Sequence, residues 1–214
     1  MGRSTFRLKD FVVRYGQPYS DMLGISLKSG RNEQIIKWFL AAILYGKPIR
    51  ESSATRTYQC FEKYGVTSGR RILRAGWDRL VQILDEGGYT RYDFSTADKL
   101  LEVFGNLERR YDGNLTRLYE ESKDEVELEA NLKALGKGIG DTTVSIFLRD
   151  MRYIWNRAEP KPTPLVTVAT KRLRIRELKQ YAKKHGVDIV RLETALLRYS
   201  KDFLKKGKII RISS

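Results

Sequence analysis

Apolar residues recur at helical spacing along almost the whole chain. One segment carries Ile35, Ile36, Phe39, Leu40 and Ile43, which fall on one face of a helix. No alternation of apolar and polar positions competes with this period. The pattern therefore predicts an all-α protein. The predicted helices are at about Phe6–Tyr15, Asn32–Tyr45, Ser53–Tyr64, Gly69–Glu86, Thr96–Phe104, Leu115–Glu121, Asp124–Leu135, Asp141–Trp155, Thr167–Ile175, Glu177–His185 and Asp188–Leu204.

Residues that start and end helices support these boundaries. Ser95 and Asp98 have the spacing of a capping box, in which two side chains cap the first turn of a helix. Three prolines between Ala158 and Pro164 predict a non-helical connection before the last third of the chain. Glycine often follows a helix end because it adopts the left-handed backbone conformation found there. The glycines in such positions are Gly46, Gly65, Gly87, Gly88, Gly105 and Gly186.

Positive charge exceeds negative charge by more than solubility requires. The chain has 41 Lys and Arg against 26 Asp and Glu, a formal net charge of +15. Between Lys171 and Ser214 there are fourteen basic and four acidic residues, so this tail has a net charge of +10. The segment Tyr119–Glu129 is acidic and is expected to face away from a polyanion. This surplus indicates nucleic acid as the partner.

The counts of cysteine and histidine and the lengths of the apolar runs exclude other classes of protein. With Cys60 and His185 as the single residues of their types, the chain cannot form an internal disulfide, a zinc site or an iron–sulfur site. We therefore predict no metal and no cofactor. No run approaches the roughly twenty apolar residues of a membrane span, and the opening MGRSTFRLKDFVV has too many charges for a signal peptide. We expect a cytoplasmic, nucleoid-associated monomer with no membrane partner.

The most informative segment is Leu132–Met151, LKALGKGIGDTTVSIFLRDM. A helix is expected to end near Leu135, with a tight turn at Gly138-Ile139-Gly140 and a second helix from Asp141. Glycine suits both flanking positions if the backbone turns there with positive φ, while Ile139 packs into the core. The N–H groups at the start of the second helix then face outward. Such a helix start binds anions, and a DNA phosphate is the natural one.

Side chains beside this turn can add contacts to a phosphate. Lys137 offers a positive charge, and Thr142 and Thr143 offer hydroxyl groups. Taken alone, the segment also fits an ordinary helical hairpin in which Asp141 caps the second helix.

Segments in the same order along the chain resemble endonuclease III and its relatives, the helix-hairpin-helix DNA glycosylases. The stretch Gly136–Val144 resembles the family's hairpin and the helix start after it. Glu33–Tyr45 is similar to the early core helix, whose end supplies residues that enter the duplex. Gly87–Tyr92 followed by Thr96–Leu100 is similar to the loop and helix from which a side chain wedges into the gap left by a flipped base. Pro162–Arg172 is similar to the segment leading into the helix that carries the catalytic aspartate.

The resemblance covers about Asn32 to Ile175 and implies a fold of two helical lobes with a DNA-binding cleft between them. One lobe would comprise residues 31–135. The other would comprise residues 1–30 and 136–214, and it would contain the helix-hairpin-helix and the basic C-terminal helices.

The resemblance also implies which side chains contact DNA. Tyr45, Tyr89 and Tyr92 are candidates to enter the opened duplex, because aromatic rings stack well there. Lys171 and Arg172 are candidates for phosphate contacts. Lys171 is also an alternative amine for Schiff-base chemistry.

Two positions depart from the family's catalytic pattern. Bifunctional members carry a lysine that forms a Schiff base with the sugar where this chain has Thr142. Nearly all members carry an aspartate that stabilises positive charge on the sugar where this chain has Thr167. Asp141 is a candidate substitute acid, whereas Asp150 is expected to pair with a nearby arginine. Any glycosylase activity would therefore be monofunctional, without strand cleavage.

These features together predict a protein that recognises damaged or distorted duplex DNA in base-excision repair. A nucleotide would be flipped toward a pocket near Thr142 and Thr167. One alternative is a non-enzymatic binder of DNA structure that has kept the fold without the chemistry. A third possibility is a helical protein that binds RNA.

Overall fold

Helices make up nearly all of the regular structure of the chain. The computed structural model describes residues 5–207 and 210–213, and these residues form twelve α-helices. The helices are α1 (Leu8–Tyr15), α2 (Tyr19–Met22), α3 (Asn32–Tyr45), α4 (Glu51–Lys63), α5 (Gly69–Glu86), α6 (Asp93–Tyr111), α7 (Leu115–Glu121), α8 (Glu125–Lys133), α9 (Asp141–Met151), α10 (Pro164–Leu173), α11 (Leu178–His185) and α12 (Ile189–Arg198). This architecture confirms the all-α prediction. None of the described helices has the length and apolar character needed to cross a membrane.

A few short elements accompany these helices. Strands β1 (Thr5–Arg7) and β2 (Arg211–Ser213) pair in parallel, with Phe6 opposite Ile212. The last α-helix continues into a π-helical turn at Tyr199–Phe203. The sequence predicted no strand, because three residues are too few to show an alternating pattern.

The largest error in a predicted boundary concerns α6. This helix begins before Ser95 and continues well beyond Phe104, with Gly105 in its interior. The Ser95 hydroxyl donates to the carbonyl oxygen of Tyr92 at 3.2 Å, and Asp98 accepts a hydrogen bond from the indole of α5 at 2.9 Å. The predicted capping box and the predicted helix end at Gly105 are therefore wrong. Burial of the apolar face of α6 outweighs the weak helix preference of one glycine.

Contacts within the chain divide it into two compact units. The terminal unit comprises residues 1–24 and 161–214, and its described part holds α1, α2 and α10–α12. The central unit is Ile25–Pro160 and holds α3–α9. The beginning of the chain groups with the C-terminal helices. Residues 136–160 belong to the central unit, where α9 packs against α3.

Helix α3 forms the core of the central unit because it has almost no polar face. Trp38, Phe39 and Leu40 are fully buried. The indole N–H of Trp38 donates to the carbonyl oxygen of Phe147 at 3.0 Å, and the rings of Phe39 and Phe147 lie 4.9 Å apart. Burying one large apolar side chain stabilises a fold by roughly 1.5–3 kcal/mol. These contacts fix α9, and with it the segment before α9, on the core.

A buried ion pair lies on α9. Arg149 Nε donates to Asp150 Oδ1 at 2.8 Å, and both side chains are buried. The expectation that Asp150 pairs with a nearby arginine is thereby confirmed. A buried charge needs a partner, and Arg149 supplies it for Asp150. The Asp150 carboxylate is therefore part of the core.

Helix α5 contains a sharp break at Gly76. This residue has φ 71° and ψ 174°, a conformation that a residue with a side chain rarely adopts. After the break, Trp77 donates its indole N–H to Asp98 at 2.9 Å, and its ring lies 5.2 Å from that of Phe94. The break therefore brings the second half of α5 against the start of α6.

In the terminal unit, α1 packs against α12. Phe11 is fully buried, and its ring lies edge-on to Tyr199 with centroids 6.1 Å apart. A Cβ atom at Gly16 would lie 2.5 Å from the carbonyl oxygen of Arg191, closer than van der Waals contact allows. Glycine at this position therefore permits the close approach of the two helices.

Candidate nucleic-acid interface

The hairpin turn, residues 134–140, joins α8 to α9. Gly138 has φ 86°, a conformation that glycine adopts without strain. Ile139 is buried, as predicted. Gly140 has φ −104° and ψ −176°, which is extended backbone open to any residue. The expectation of positive φ is therefore right for the first glycine of the turn and wrong for the second.

Side chains of α6 form hydrogen bonds with the hairpin turn, and three of these bonds are at Leu135, Lys137 and Gly138. Asn106 Nδ2 donates to the carbonyl oxygen of Leu135 at 2.8 Å. The backbone N–H of Lys137 donates to Glu102 Oε2 at 3.1 Å, and Lys99 Nζ donates to the carbonyl oxygen of Gly138 at 3.0 Å. The three side chains follow one another along α6 at helical spacing. The turn is thereby held along its whole length.

The start of α9 faces outward from this turn. Gly140 is the N-cap residue, and no side chain caps the helix. Gly140, Asp141 and Thr142 are exposed, and nothing lies within 4 Å of the place that a Cβ atom of Gly140 would take. The first N–H groups of a helix have no partner within it, and together with the helix dipole they attract an anion. The geometry at this helix start suits a phosphate.

Two of the predicted site residues beside this helix start have other roles. Asp141 is the first helical residue, and its side chain is 88% exposed and pairs with Lys133 Nζ at 2.6 Å. This contact raises the pKa of the Lys133 amine. Thr143 is buried, and its hydroxyl lies against Gly46 at the end of α3. Asp141 is therefore not the N-cap, and of the two threonines only Thr142 is exposed to a ligand.

Tyr89 is a core residue. It is 1% exposed, and its hydroxyl donates to the carbonyl oxygen of Leu44 at 2.5 Å. Burial raises the pKa of this hydroxyl above its ordinary value. A side chain held in this way cannot enter a duplex without unfolding the loop around it. The structure therefore corrects the wedge role predicted for Tyr89.

Tyr45 and Tyr92 are half-buried. The Tyr45 hydroxyl forms a hydrogen bond with Thr55 Oγ1 at 2.7 Å. The ring of Tyr92 carries two cations near its face, with Lys47 Nζ at 5.4 Å and Arg91 Cζ at 5.5 Å from its centroid. Tyr92 therefore combines an accessible aromatic ring with adjacent positive charge.

Next to Tyr92 lies a pair of lysines, Lys47 and Lys99, here called the lysine pair. The charge of Lys47 acts on the amine of Lys99, which is only 7% exposed. Burial, followed by the charge of Lys47, lowers the pKa of Lys99 from 10.5 to about 8. Among the described residues, no carboxylate forms an ion pair with either amine. The lysine pair therefore presents uncompensated positive charge against the hairpin turn at Gly138.

Sequence reasoning missed the lysine pair, although one signal for Lys99 was present. Thr96, Lys99, Leu100 and Val103 occupy one face of α6, and all four are buried. A lysine on the buried, otherwise uncharged face of a helix indicates an amine whose pKa is shifted by burial. Lys47 carries no comparable signal, because it follows the end of α3 in a connection to α4.

The remaining predicted residues lie on α10 in the terminal unit. Thr167 is half-buried, and its hydroxyl donates to the carbonyl oxygen of Thr163 one turn earlier at 3.2 Å. Lys171 and Arg172 are exposed, as a phosphate contact requires. Thr142 belongs to the central unit and Thr167 to the terminal unit. A pocket formed by the two threonines stays a prediction.

The carboxylates around the hairpin turn have basic or N–H partners. Asp141 contacts Lys133, Glu102 accepts the N–H of Lys137, and Asp150 is paired with Arg149 in the core. Within residues 5–207 and 210–213, no group of three or more His, Cys, Asp or Glu side chains is placed to hold a metal ion. Comparisons with protein-family models, with curated proteins and with solved structures gave no match to this chain.

Proposed function

We propose that this protein binds duplex DNA through the start of α9 and recognises damaged or distorted sites in base-excision repair. The observation that carries this proposal is the uncapped, exposed start of α9, with open space in front of Gly140. A phosphate there accepts hydrogen bonds from backbone N–H groups and interacts favourably with the helix dipole. The helix-hairpin-helix motif and the DNA-binding cleft are part of this proposal.

Charge around the hairpin turn favours a polyanion as the ligand. Lys137 is exposed on the turn, and the lysine pair lies beside Gly138. The chain as a whole has a net charge of +15, and the exposed Lys171 and Arg172 contribute to the basic tail. Phosphate contacts of this kind supply the sequence-independent part of the affinity for DNA.

Base release requires a group that stabilises the positive charge developing on the sugar. Asp141 and Glu102, which lie beside the hairpin turn, and Asp150 in the core each already have a partner. Thr142 and Thr167 offer only hydroxyl groups where the resemblance implies an amine and an acid. This arrangement favours a second candidate function, a non-enzymatic protein that binds distorted DNA. An enzyme of this fold would be a monofunctional glycosylase.

Two measurements on the same duplexes test these functions. The first is the affinity for intact duplex, for duplexes with uracil, an oxidised purine, an alkylated purine or an abasic site, and for duplex RNA. The second is base release from each lesion, with alkali treatment to reveal abasic sites. We expect tighter binding to at least one altered duplex than to intact DNA, and weaker binding to RNA.

The outcomes separate the candidates. Alkali-dependent cleavage identifies a monofunctional glycosylase, whereas selective binding without base release identifies a binder. Equal affinity for duplex RNA and duplex DNA would identify an RNA-binding protein instead. Strand cleavage without alkali would show an amine acting as nucleophile, against the expectation from Thr142.

A further inference from the structure

Two aromatic side chains, here called the aromatic pair, lie together on the surface of the central unit. Trp77 follows the break in α5 and is 39% exposed, and Phe94 at the start of α6 is 58% exposed. Their ring centroids lie 5.2 Å apart. In the part of the chain that the structure describes, the other exposed large apolar side chains lie on four different helices. Exposed apolar groups that lie together, unlike scattered ones, indicate an interaction surface.

The backbone at Gly76 sets the position of Trp77. Its φ of 71° and ψ of 174° form a combination that is nearly restricted to glycine, and nothing lies within 4 Å of the place that a Cβ atom would take. Glycine is therefore required there by backbone conformation and not by crowding. After the break, the indole N–H of Trp77 donates to Asp98 Oδ1 at 2.9 Å. This bond fixes the indole while part of its ring stays on the surface.

Three aspartates flank the aromatic pair along the chain. Asp98 lies one turn after Phe94 on α6, and Asp78 directly follows Trp77. Asp93 precedes Phe94 and accepts its backbone N–H at 2.7 Å. Asp78 and Asp98 are exposed, and Asp93 is half-buried. Among the described residues, no basic side chain forms an ion pair with any of the three.

The arginines nearest in sequence do not neutralise these carboxylates. The guanidinium of Arg79 lies over the ring of Tyr64 at 4.2 Å from its centroid, and that of Arg91 lies over Tyr92 at 5.5 Å. Arg74 is exposed and forms no ion pair within the described part of the chain. The aromatic pair and its three aspartates, here called the acidic aromatic patch, are therefore a negatively charged surface on a chain with a net charge of +15.

We propose that the acidic aromatic patch binds a Lys- and Arg-rich segment of a partner protein. The face of an aromatic ring attracts a guanidinium or ammonium group, and tryptophan does so most strongly. Arginine can stack on such a ring and pair with a carboxylate through two parallel hydrogen bonds. An exposed tryptophan is also one of the side chains that most often dominate the binding energy of a protein interface. The patch offers both groups that a basic side chain needs.

The charge of the patch disfavours two other occupants. A nucleic acid would bring its phosphates close to three carboxylates, and like charges across an interface weaken binding. A second copy of this chain would bring one net charge of +15 against another. A basic segment of a different protein has the charge that the patch attracts. This inference goes beyond the proposed function, because the patch contains none of the residues assigned to phosphate contacts.

The experiment measures the binding of a short peptide rich in arginine and lysine, with a peptide in which glutamine replaces these residues as the uncharged probe. Trp38 and Trp155 are buried, so Trp77 is the tryptophan whose fluorescence a surface ligand changes. We expect a saturable change with the basic peptide and none with the glutamine peptide. Phe94→Ala should weaken binding roughly fivefold, because one ring of the pair is lost. Asp98→Asn keeps an acceptor for the indole N–H and should weaken binding about threefold.

Glu120→Gln is the matched control for charge. It removes an exposed carboxylate from the acidic segment Tyr119–Glu129 and should keep the wild-type affinity for the peptide. Circular dichroism should show the same helix content in all variants. An equal loss in Glu120→Gln and Asp98→Asn would indicate unspecific attraction by negative charge and overturn the proposal. No fluorescence change at millimolar basic peptide would also overturn it.

Two further measurements test the other occupants. Duplex DNA affinity should be the same in wild type and Phe94→Ala, and single-stranded DNA should leave the Trp77 fluorescence unchanged. A fluorescence change with single-stranded DNA that Phe94→Ala abolishes would assign the patch to a nucleobase and overturn a protein partner. Self-association of the wild-type chain that Phe94→Ala abolishes would assign it to a second copy, with the same consequence for the proposal.

Discussion

Gly138 and Gly140 stand in the same turn but have different backbone requirements. Gly138 has φ 86°, and a Cβ atom there would lie 2.9 Å from Cε of Lys99. Gly140 has extended backbone and open space around it. At the residue scale, the first glycine shapes the turn, and the second leaves room for a ligand to approach the start of α9.

The alanine variants of these glycines should therefore differ. Gly138→Ala should lower the free energy of unfolding by about 1–2 kcal/mol, because an L-residue is strained at positive φ and its methyl group displaces Lys99. Gly140→Ala should cause no loss of stability but should weaken DNA binding, because its methyl group occupies the open space. Urea unfolding and a DNA titration on both variants measure these effects. Equal destabilisation by the two changes would contradict the assigned roles.

The loop between α5 and α6, residues 87–92, places its two tyrosines in different environments. Tyr89 is buried, and its hydroxyl donates a hydrogen bond to the carbonyl oxygen of Leu44. Tyr92 is half-buried, and Lys47 and Arg91 lie near its ring. At the element scale, Tyr89 fixes the loop to the core, and Tyr92 is the tyrosine that is accessible to a ligand.

Single substitutions should separate these two tyrosines. Tyr92→Ala should reduce lesion binding and the fluorescence increase of 2-aminopurine beside a lesion, because a stacking ring is lost. Tyr89→Phe should leave both signals unchanged and cost about 1 kcal/mol of stability, because only its buried hydrogen bond is lost. Wild-type fluorescence from Tyr92→Ala would argue against its entry into the duplex.

Sequence patterns predicted the helices well and the packing between them poorly, for physical reasons. The periods of α3, α5 and α9 follow from local spacing, and the turn at Gly138 follows from its glycines. The burial of Tyr89 and of Lys99 depends on which elements meet in space. The pairing of β1 with β2 joins the two ends of the chain, which no local pattern reveals.

At the scale of the whole molecule, the net charge bears on the proposed partner. A net charge of +15 attracts polyanions at low salt without selecting a sequence. The acidic segment Tyr119–Glu129 offers an internal comparison, because Lys123 is exposed within it before α8, whereas Lys137 follows α8 in the hairpin turn. Lys137 and Lys123 are therefore a matched pair of exposed lysines, and we expect only Lys137 to contact a phosphate.

The most direct test of phosphate binding at the hairpin turn is the salt dependence of duplex affinity in wild type, Lys137→Ala and Lys123→Ala. Each phosphate contact contributes about 0.9 to the slope of log K against log salt concentration. Lys137→Ala should bind more weakly and lower this slope by about one contact. Lys123→Ala removes the same charge and should keep the wild-type slope. A wild-type slope in Lys137→Ala, or an equal decrease in both variants, would contradict a specific phosphate contact at the hairpin turn.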